Sequence, residues 1–289
     1  MAMKPFQCAV RFHARQYKRA TALLPYVLGK QTLSSRQNSC DTYVVSGISG
    51  GFTEKVSVDF TSVQSGGNAA NFLSQHGLSI SDYNVGSTPI AHDFVPGNVL
   101  LGDGVLQLKV TSYSGSGSVE SAEVVTDDTF TYASVRTVLK SSTTPGVCEG
   151  NFFYLSDTQE TDIEILTSTT LTGNEYVPAG VWTTNQATAA GGTETTDNVE
   201  FTFDPSQDFH EYRIDWSSSA TTFYIDGAQI NKFSDNVPWE SGHWIWNAWS
   251  SGDPYWSNGP PTADSITEIR SIELYKGYTS TTSGTVCNV

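Results

Sequence analysis

The sequence predicts an all-β protein built from two packed antiparallel sheets. Three observations predict it. From Cys40 onward, short alternating or apolar runs lie between clusters of Gly, Ser, Asn and Asp, with turn signals roughly every ten residues. No stretch has the apolar period of a convincing amphipathic helix, and only 67–73 could form a short helical turn. The composition favours strands and turns, with 12% aromatic and only 16% charged residues.

The candidate strands follow in order. The first, 54–60, alternates through Val56, Val58 and Phe60. The run 98–110 is mostly apolar, and 122–125 and 134–139 are short apolar segments. The stretch 150–155 carries Phe152, Phe153 and Tyr154, and 161–166 alternates carboxylates with Ile163 and Ile165. Then come 179–184, 200–203 and 211–216, the last alternating through Tyr212, Ile214 and Trp216. The run 221–225 ends at Asp226-Gly227, a hairpin turn signal. Aromatic 243–248 and alternating 269–275 complete the set.

A chain of 289 residues with no linker and no repeat fits one large β domain. Its net charge of −15 argues against nucleic acid, whose phosphates need Lys and Arg. The charge is uneven. Before Asp41 there is no acidic residue, yet seven of the fifteen basic ones lie there: Lys4, Arg11, Arg15, Lys18, Arg19, Lys30 and Arg36. Residues 1–39 are therefore read as a propeptide-like or disordered segment, with Lys18-Arg19 a possible dibasic processing site, and 40–289 as the folded domain. The longest apolar run, Ala20 to Leu28, is interrupted by Thr21 and Pro25 and is too short to span a bilayer.

Four cysteines suggest an extracellular disulfide. Cys8 lies in the basic segment, which leaves Cys40, Cys148 and Cys287 for one bridge inside the domain. Cys40–Cys148 is expected, with Cys40–Cys287 the alternative because chain ends often lie close together.

The chemistry concentrates in Glu160-Thr161-Asp162-Ile163-Glu164. On a strand, alternate side chains share a face, so three carboxylates stand in a row opposite Thr161, Ile163 and Ile165. Adjacent like charges raise at least one proton affinity. Such a row suits a site needing one ionised and one protonated carboxyl at the same pH. An acidic solvated face or a calcium ladder reads equally from the spacing. The stretch from His243 to Pro261 adds Trp244, Trp246, Asn247, Trp249, Tyr255 and Trp256. Asn247 and Trp249 share a face, whereas Trp244 and Trp246 have the opposite parity and are expected to pack inward. Trp216 is expected to be structural.

Together these stretches resemble glycoside hydrolase family 16, the concanavalin A-like β-jelly-roll glucanases. The resemblance rests on Glu160-Thr161-Asp162-Ile163-Glu164, on the preceding Gly146 to Tyr154, on Phe209-His210-Glu211-Tyr212-Arg213-Ile214-Asp215-Trp216, and on Phe223-Tyr224-Ile225-Asp226-Gly227. Asn247-Ala248-Trp249-Ser250-Ser251-Gly252-Asp253-Pro254 is similar to fungal members in detail. It covers about Cys40 to Gly277. The resemblance implies a jelly-roll sandwich with a concave cleft, and a secreted retaining endo-β-glucanase acting on β-1,3- or mixed β-1,3/1,4-glucan. It implies Glu160 as nucleophile, Glu164 as general acid/base and Asp162 between them. It also implies a cleft contact from Arg136. From their own chemistry, Trp249 and Trp256 are read as stacking platforms for a sugar ring and Asn247 as a partner for its hydroxyls, with Trp182 a further candidate cleft residue. The expected partner is a β-glucan, with no cofactor, nucleic acid or membrane, and the chain is expected to be a monomer. A cell-wall transglycosylase and a non-catalytic glucan lectin are the alternatives. Some relatives bind calcium through an Asp on the last strand. Arg270 to Tyr275 offers none, so no metal is expected. Thr161 departs from the family's usual aliphatic residue and would bury a hydroxyl that needs a partner. The spacing also poses a geometric demand. Residues four apart on a straight strand are about 13 Å apart at Cα, whereas retaining glycosidases hold their carboxyls ~5–5.5 Å apart.

Overall fold

The computed structural model describes residues 40–289, so the expected basic segment 1–39 and Cys8 lie outside the described residues. The strands are β1 (Thr42–Val44), β2 (Gly51–Asp59), β3 (Leu78–Ile80), β4 (Tyr83–Val85), β5 (His92–Phe94), β6 (Val99–Gly102) and β7 (Val105–Val110). They continue as β8 (Val119–Thr126), β9 (Ala133–Lys140), β10 (Cys148–Ser156), β11 (Gln159–Leu166), β12 (Val181–Asn185) and β13 (Thr195–Val199). The last are β14 (His210–Trp216), β15 (Thr221–Ile225), β16 (Ala228–Phe233), β17 (His243–Trp249), β18 (Ser265–Thr279) and β19 (Val286–Asn288). One short helix, α1 (Ala69–Ser74), starts where the Asn68 side chain accepts from the Asn71 amide.

Two sheets form. The outer sheet runs β16-β15-β14-β9-β18-β2-β1-β19, with β7 and β6 continuing from β18. The inner sheet runs β13-β12-β11-β10-β17-β8-β5-β4, with β3 beside β8. Their facing sides make one core in which Ile214, Trp216 and Phe223 meet Phe153, Ile163, Ile165, Trp244 and Trp246. The inward indoles find partners: Trp244 Nε1 donates to Asn151 Oδ1 at 2.7 Å, Trp246 Nε1 to Thr137 Oγ1 at 2.8 Å, and Trp216 Nε1 to the Pro238 carbonyl at 2.9 Å. These three rings are structural, as their parity requires. Thr161 Oγ1 faces the same interior, buried without a hydrogen-bond partner among the described residues.

Three expectations need correction. The run 98–110 is a hairpin of β6 and β7, because Gly104 turns at φ +78° after Asp103. The segment 200–203 is not a strand. Phe201 and Phe203 instead pack on each other at 5.4 Å and cover the core edge, and the edge strand is β13, just before them. The disulfide joins Cys40 to Cys287, with Cα atoms 5.8 Å apart, not Cys40 to Cys148. Its cause is topological: β1 and β19 pair in parallel and place Tyr43 opposite Cys287 in the outer sheet. Cys148 opens β10 in the other sheet, a full layer away.

Glu149, between Cys148 and Gly150, points into the sandwich. Its Oε1 accepts from the Ser142 amide at 2.8 Å and from Thr267 Oγ1 at 2.6 Å. Burial pushes its carboxyl up to about 7 despite these donors. The sign follows. Between the ordinary value of 4.5 and about 7, the folded chain holds a proton that the unfolded chain releases, so stability falls as pH rises through that window. The contribution is on the order of 3 kcal/mol. Glu149→Gln is expected to flatten the decline in urea midpoint between acidic and neutral pH. A variant with the parent's full slope would contradict this.

Candidate active site

The β10–β11 hairpin builds the site. All eight residues of β11 are buried, on both faces. Ile163 and Ile165 enter the core, so Glu160, Asp162 and Glu164 must point to the concave side of the inner sheet. Register then fixes their neighbours. On β10, Tyr154, Phe152 and Gly150 lie opposite Glu160, Asp162 and Glu164. On β12, Thr184 and Trp182 lie opposite Asp162 and Glu164. One strand further, β17 sets Asn247 beside Gly150. The glycine keeps this passage open, because a Cβ there would come within 2.6 Å of Asn247 Oδ1.

Glu160, Asp162 and Glu164 are 0%, 1% and 0% exposed. Burial of this kind penalises the charged form, and each carboxylate adds to the field on its neighbours. Glu160 is raised well above the ordinary carboxylate range, first by desolvation and then by the Asp162 charge. Asp162 is raised well above it too, by desolvation and then by Glu164. Neither oxygen of Glu160 has a donor among the described residues. The Glu160 and Asp162 charges act on each other, so the two carboxyls titrate as a pair. Gln186 Nε2 donates to Asp162 Oδ2 at 3.4 Å, and the Gln186 amide donates to the Glu160 carbonyl at 3.1 Å. Cys148 Sγ lies 3.5 Å from Glu164 Oε1.

The structure sorts the expected cleft residues. Asn247 and Trp182 lie on the concave face beside the carboxylates. Trp249 shares that face with Asn247, but it is buried and stacked on His92 at 4.6 Å. Trp256 is buried against Trp182 at 5.2 Å. Neither offers an open ring face. Arg136 is a correction. It lies on β9 of the outer sheet, 3.8 Å from Glu273 and over the Tyr275 ring. Its neighbours Val135 and Leu139 and the Thr137 hydroxyl face the core, so parity turns Arg136 to the far surface.

Sequence reasoning missed Glu123, Gln186 and His92, and gave Cys148 only a disulfide role. Glu123 is buried on β8, where Ser81 Oγ, Tyr83 OH and Asn247 Nδ2 donate to it at 2.7, 2.9 and 3.2 Å. Burial raises its carboxyl. Its register with Asn247 would have found it, had β8 been paired with β17. His92 is driven down to about 3 by burial and stays neutral. Among the described residues, no group of three or more His, Cys, Asp or Glu is placed to hold a metal ion.

A row of three buried carboxyls, on a concave sheet lined with amides and indoles, can deliver a nucleophile and an acid to one bond. Comparison with known proteins points the same way. The chain is similar to a beta-glucanase of Acetivibrio thermocellus, 29% identical over 161 residues, which are 53% of this chain and 45% of that protein. It is also similar to the probable xyloglucan endotransglucosylase/hydrolase protein 7 of Arabidopsis thaliana, 31% identical over 142 residues, 47% of this chain and 43% of that one. The chain thus spans about half the length of the curated relatives it matches. In fold it is similar to a prokaryotic beta-1,3-1,4-glucanase (lichenase) from a mouse hindgut metagenome, with TM-score 0.60 and 21% identity over 77% of this chain and 99% of that one. The model of the glycosyl hydrolases family 16 matches residues 90–257, more than half of the sequence and the whole of the carboxylate hairpin. The chain belongs to glycosyl hydrolases family 16.

Proposed function

We propose that this domain is a retaining endo-β-glucanase that cleaves β-1,3- or mixed β-1,3/1,4-glucan. The observation that carries the reading is the single concave row of buried Glu160, Asp162 and Glu164, in which Glu160 and Asp162 are raised in proton affinity. In the proposed mechanism, Glu160 attacks the anomeric carbon while Glu164 protonates the departing oxygen. The bond from the anomeric carbon to Glu160 forms as the glycosidic bond breaks. Glu164, now a base, removes a proton from water, which displaces Glu160 and releases the sugar. Asp162 holds the proton exchanged along the row. Asn247 and Trp182 flank the reacting sugar, one on each side of the hairpin. The chain acts as a monomer without a cofactor in this reading. The Cys40–Cys287 bridge supports a secreted or cell-wall location, because disulfides persist in oxidising compartments.

A second reading replaces water with a sugar hydroxyl, which makes the protein a cell-wall transglycosylase. The similarity to a probable xyloglucan endotransglucosylase/hydrolase favours keeping it. Product sizing on laminarin and lichenan separates the two, since only transfer yields products longer than the donor. A non-catalytic lectin would not need all three carboxylates.

Glu160→Gln and Glu164→Gln are each expected to lose at least ~100-fold in turnover while staying folded. Azide is expected to restore turnover as an α-glycosyl azide only in the Glu160 variant. Near-parental activity of Glu160→Gln would remove the assignment.

We also propose that 40–289 is the catalytic domain and 1–39 a propeptide-like segment. That segment carries no acidic residue and no strand pattern, so a protein starting near Gln37 is expected to turn over glucan as fast as the full chain. Failure of the shortened chain to fold would make the basic segment part of the domain.

A further inference from the structure

Two loops leave the same end of the inner sheet, one after β11 and one after β17. Both curl onto the concave side. Val177 of the first packs with Leu166, Cys148 and Trp249, and Trp256 of the second packs on Trp182. They are tied together. Ser168 Oγ lies 3.3 Å from the Ser257 carbonyl and 3.2 Å from that of Asn258. The connection before β10 backs the second loop, where a Cβ on Gly259 would come within 2.3 Å of the Gly146 carbonyl oxygen. Each loop is also ordered internally. Asn174 Oδ1 accepts from the Tyr176 and Val177 amides at 2.7 and 2.8 Å, and Asp253 Oδ1 accepts from the Tyr255 amide at 2.9 Å.

These fixed loops bring Tyr176 and Tyr255 to ring centroids 4.6 Å apart, yet leave the rings 51% and 40% exposed. A contact made for stability would sit deeper, as the neighbouring Trp256 does. Rigid phenol rings held together at a rim expose apolar faces with polar tips, the surface that an amphipathic sugar ring matches. Their place relates to the carboxylates. Trp182 is registered opposite Glu164, and Trp256 rests on Trp182. Glu164 is the group proposed to protonate the departing oxygen, so the wall lies on the side where the leaving sugar departs.

We propose that Tyr176 and Tyr255 form a stacking platform for the leaving or incoming glucan chain, beyond the sugar that reacts. It is the segment that would retain an acceptor for transfer. This rests on the glucanase reading of the preceding subsection, and it adds a binding position to it.

The test uses full-length Glu160→Gln protein and titration calorimetry with laminari-oligosaccharides and barley β-glucan oligosaccharides of increasing length. Adding Tyr176→Ala and Tyr255→Ala is expected to weaken binding of the longest oligosaccharides about tenfold, with a smaller loss for the shortest. Tyr176→Phe with Tyr255→Phe keeps the rings and is expected to restore most of the affinity. Trp239→Ala serves as the control. Its ring is 54% exposed on the loop between β16 and β17, whose Trp239 and Glu240 amides bind Gln159 at the other end of β11. It is expected to bind as Glu160→Gln alone. Unchanged affinity in the double alanine variant, or an equal loss in Trp239→Ala, overturns the platform and leaves the glucanase reading standing. A folded Glu160→Gln protein that binds no glucan of either linkage overturns both.

Discussion

The site depends on placing three like charges on one face of a strand whose other face is core. Burial makes each charge costly, and proximity makes each costlier. The arrangement is tolerable because protons neutralise part of it. Glu160 and Asp162 are both raised well above the exposed-carboxylate range, by desolvation first and then by a neighbouring carboxylate. This need for neutralisation is also what a double displacement uses, since it requires one carboxyl to attack while another gives up a proton.

Neighbouring residues serve the same arrangement. Gly150 leaves space between Glu164 and Asn247 that any side chain would fill. Gln186 donates to the middle carboxylate from the strand end beside Glu160. Beyond Asn247, Glu123 repeats the pattern of a buried carboxyl raised by burial, but with three donors around it. The inner sheet therefore carries acidic groups across its concave surface, while the outer sheet carries ion pairs such as Lys55–Glu273 and Lys140–Glu268 on its far side.

Alternation made the carboxylate row and the inward Trp244 and Trp246 legible in the sequence, because a strand's two faces follow from parity alone. The same rule, applied to 134–139, would have turned Arg136 away from the cleft, since Val135 and Leu139 belong to the core. What could not be read were pairings between distant segments. Cys40 meets Cys287 because β1 and β19 pair in parallel at a sheet edge, and three-residue strands carry almost no periodic signal. Glu123 was hidden for a like reason, because its role depends on β8 lying beside β17. Trp249 shows a different limit. Its face was legible, but whether the ring is open depended on His92, a residue of another short strand.

The most direct test of the account is the identity of the atom that takes the sugar. A 2-deoxy-2-fluoro-β-glucosyl fluoride extended by one β-1,3-linked glucose slows the second displacement and leaves the intermediate on the enzyme. Proteolysis and mass spectrometry then locate the ester. The account predicts a single label on Glu160, in the peptide that also carries Asp162 and Glu164. An ester on Asp162 or Glu164, or turnover through an intermediate that never becomes covalent, would contradict it.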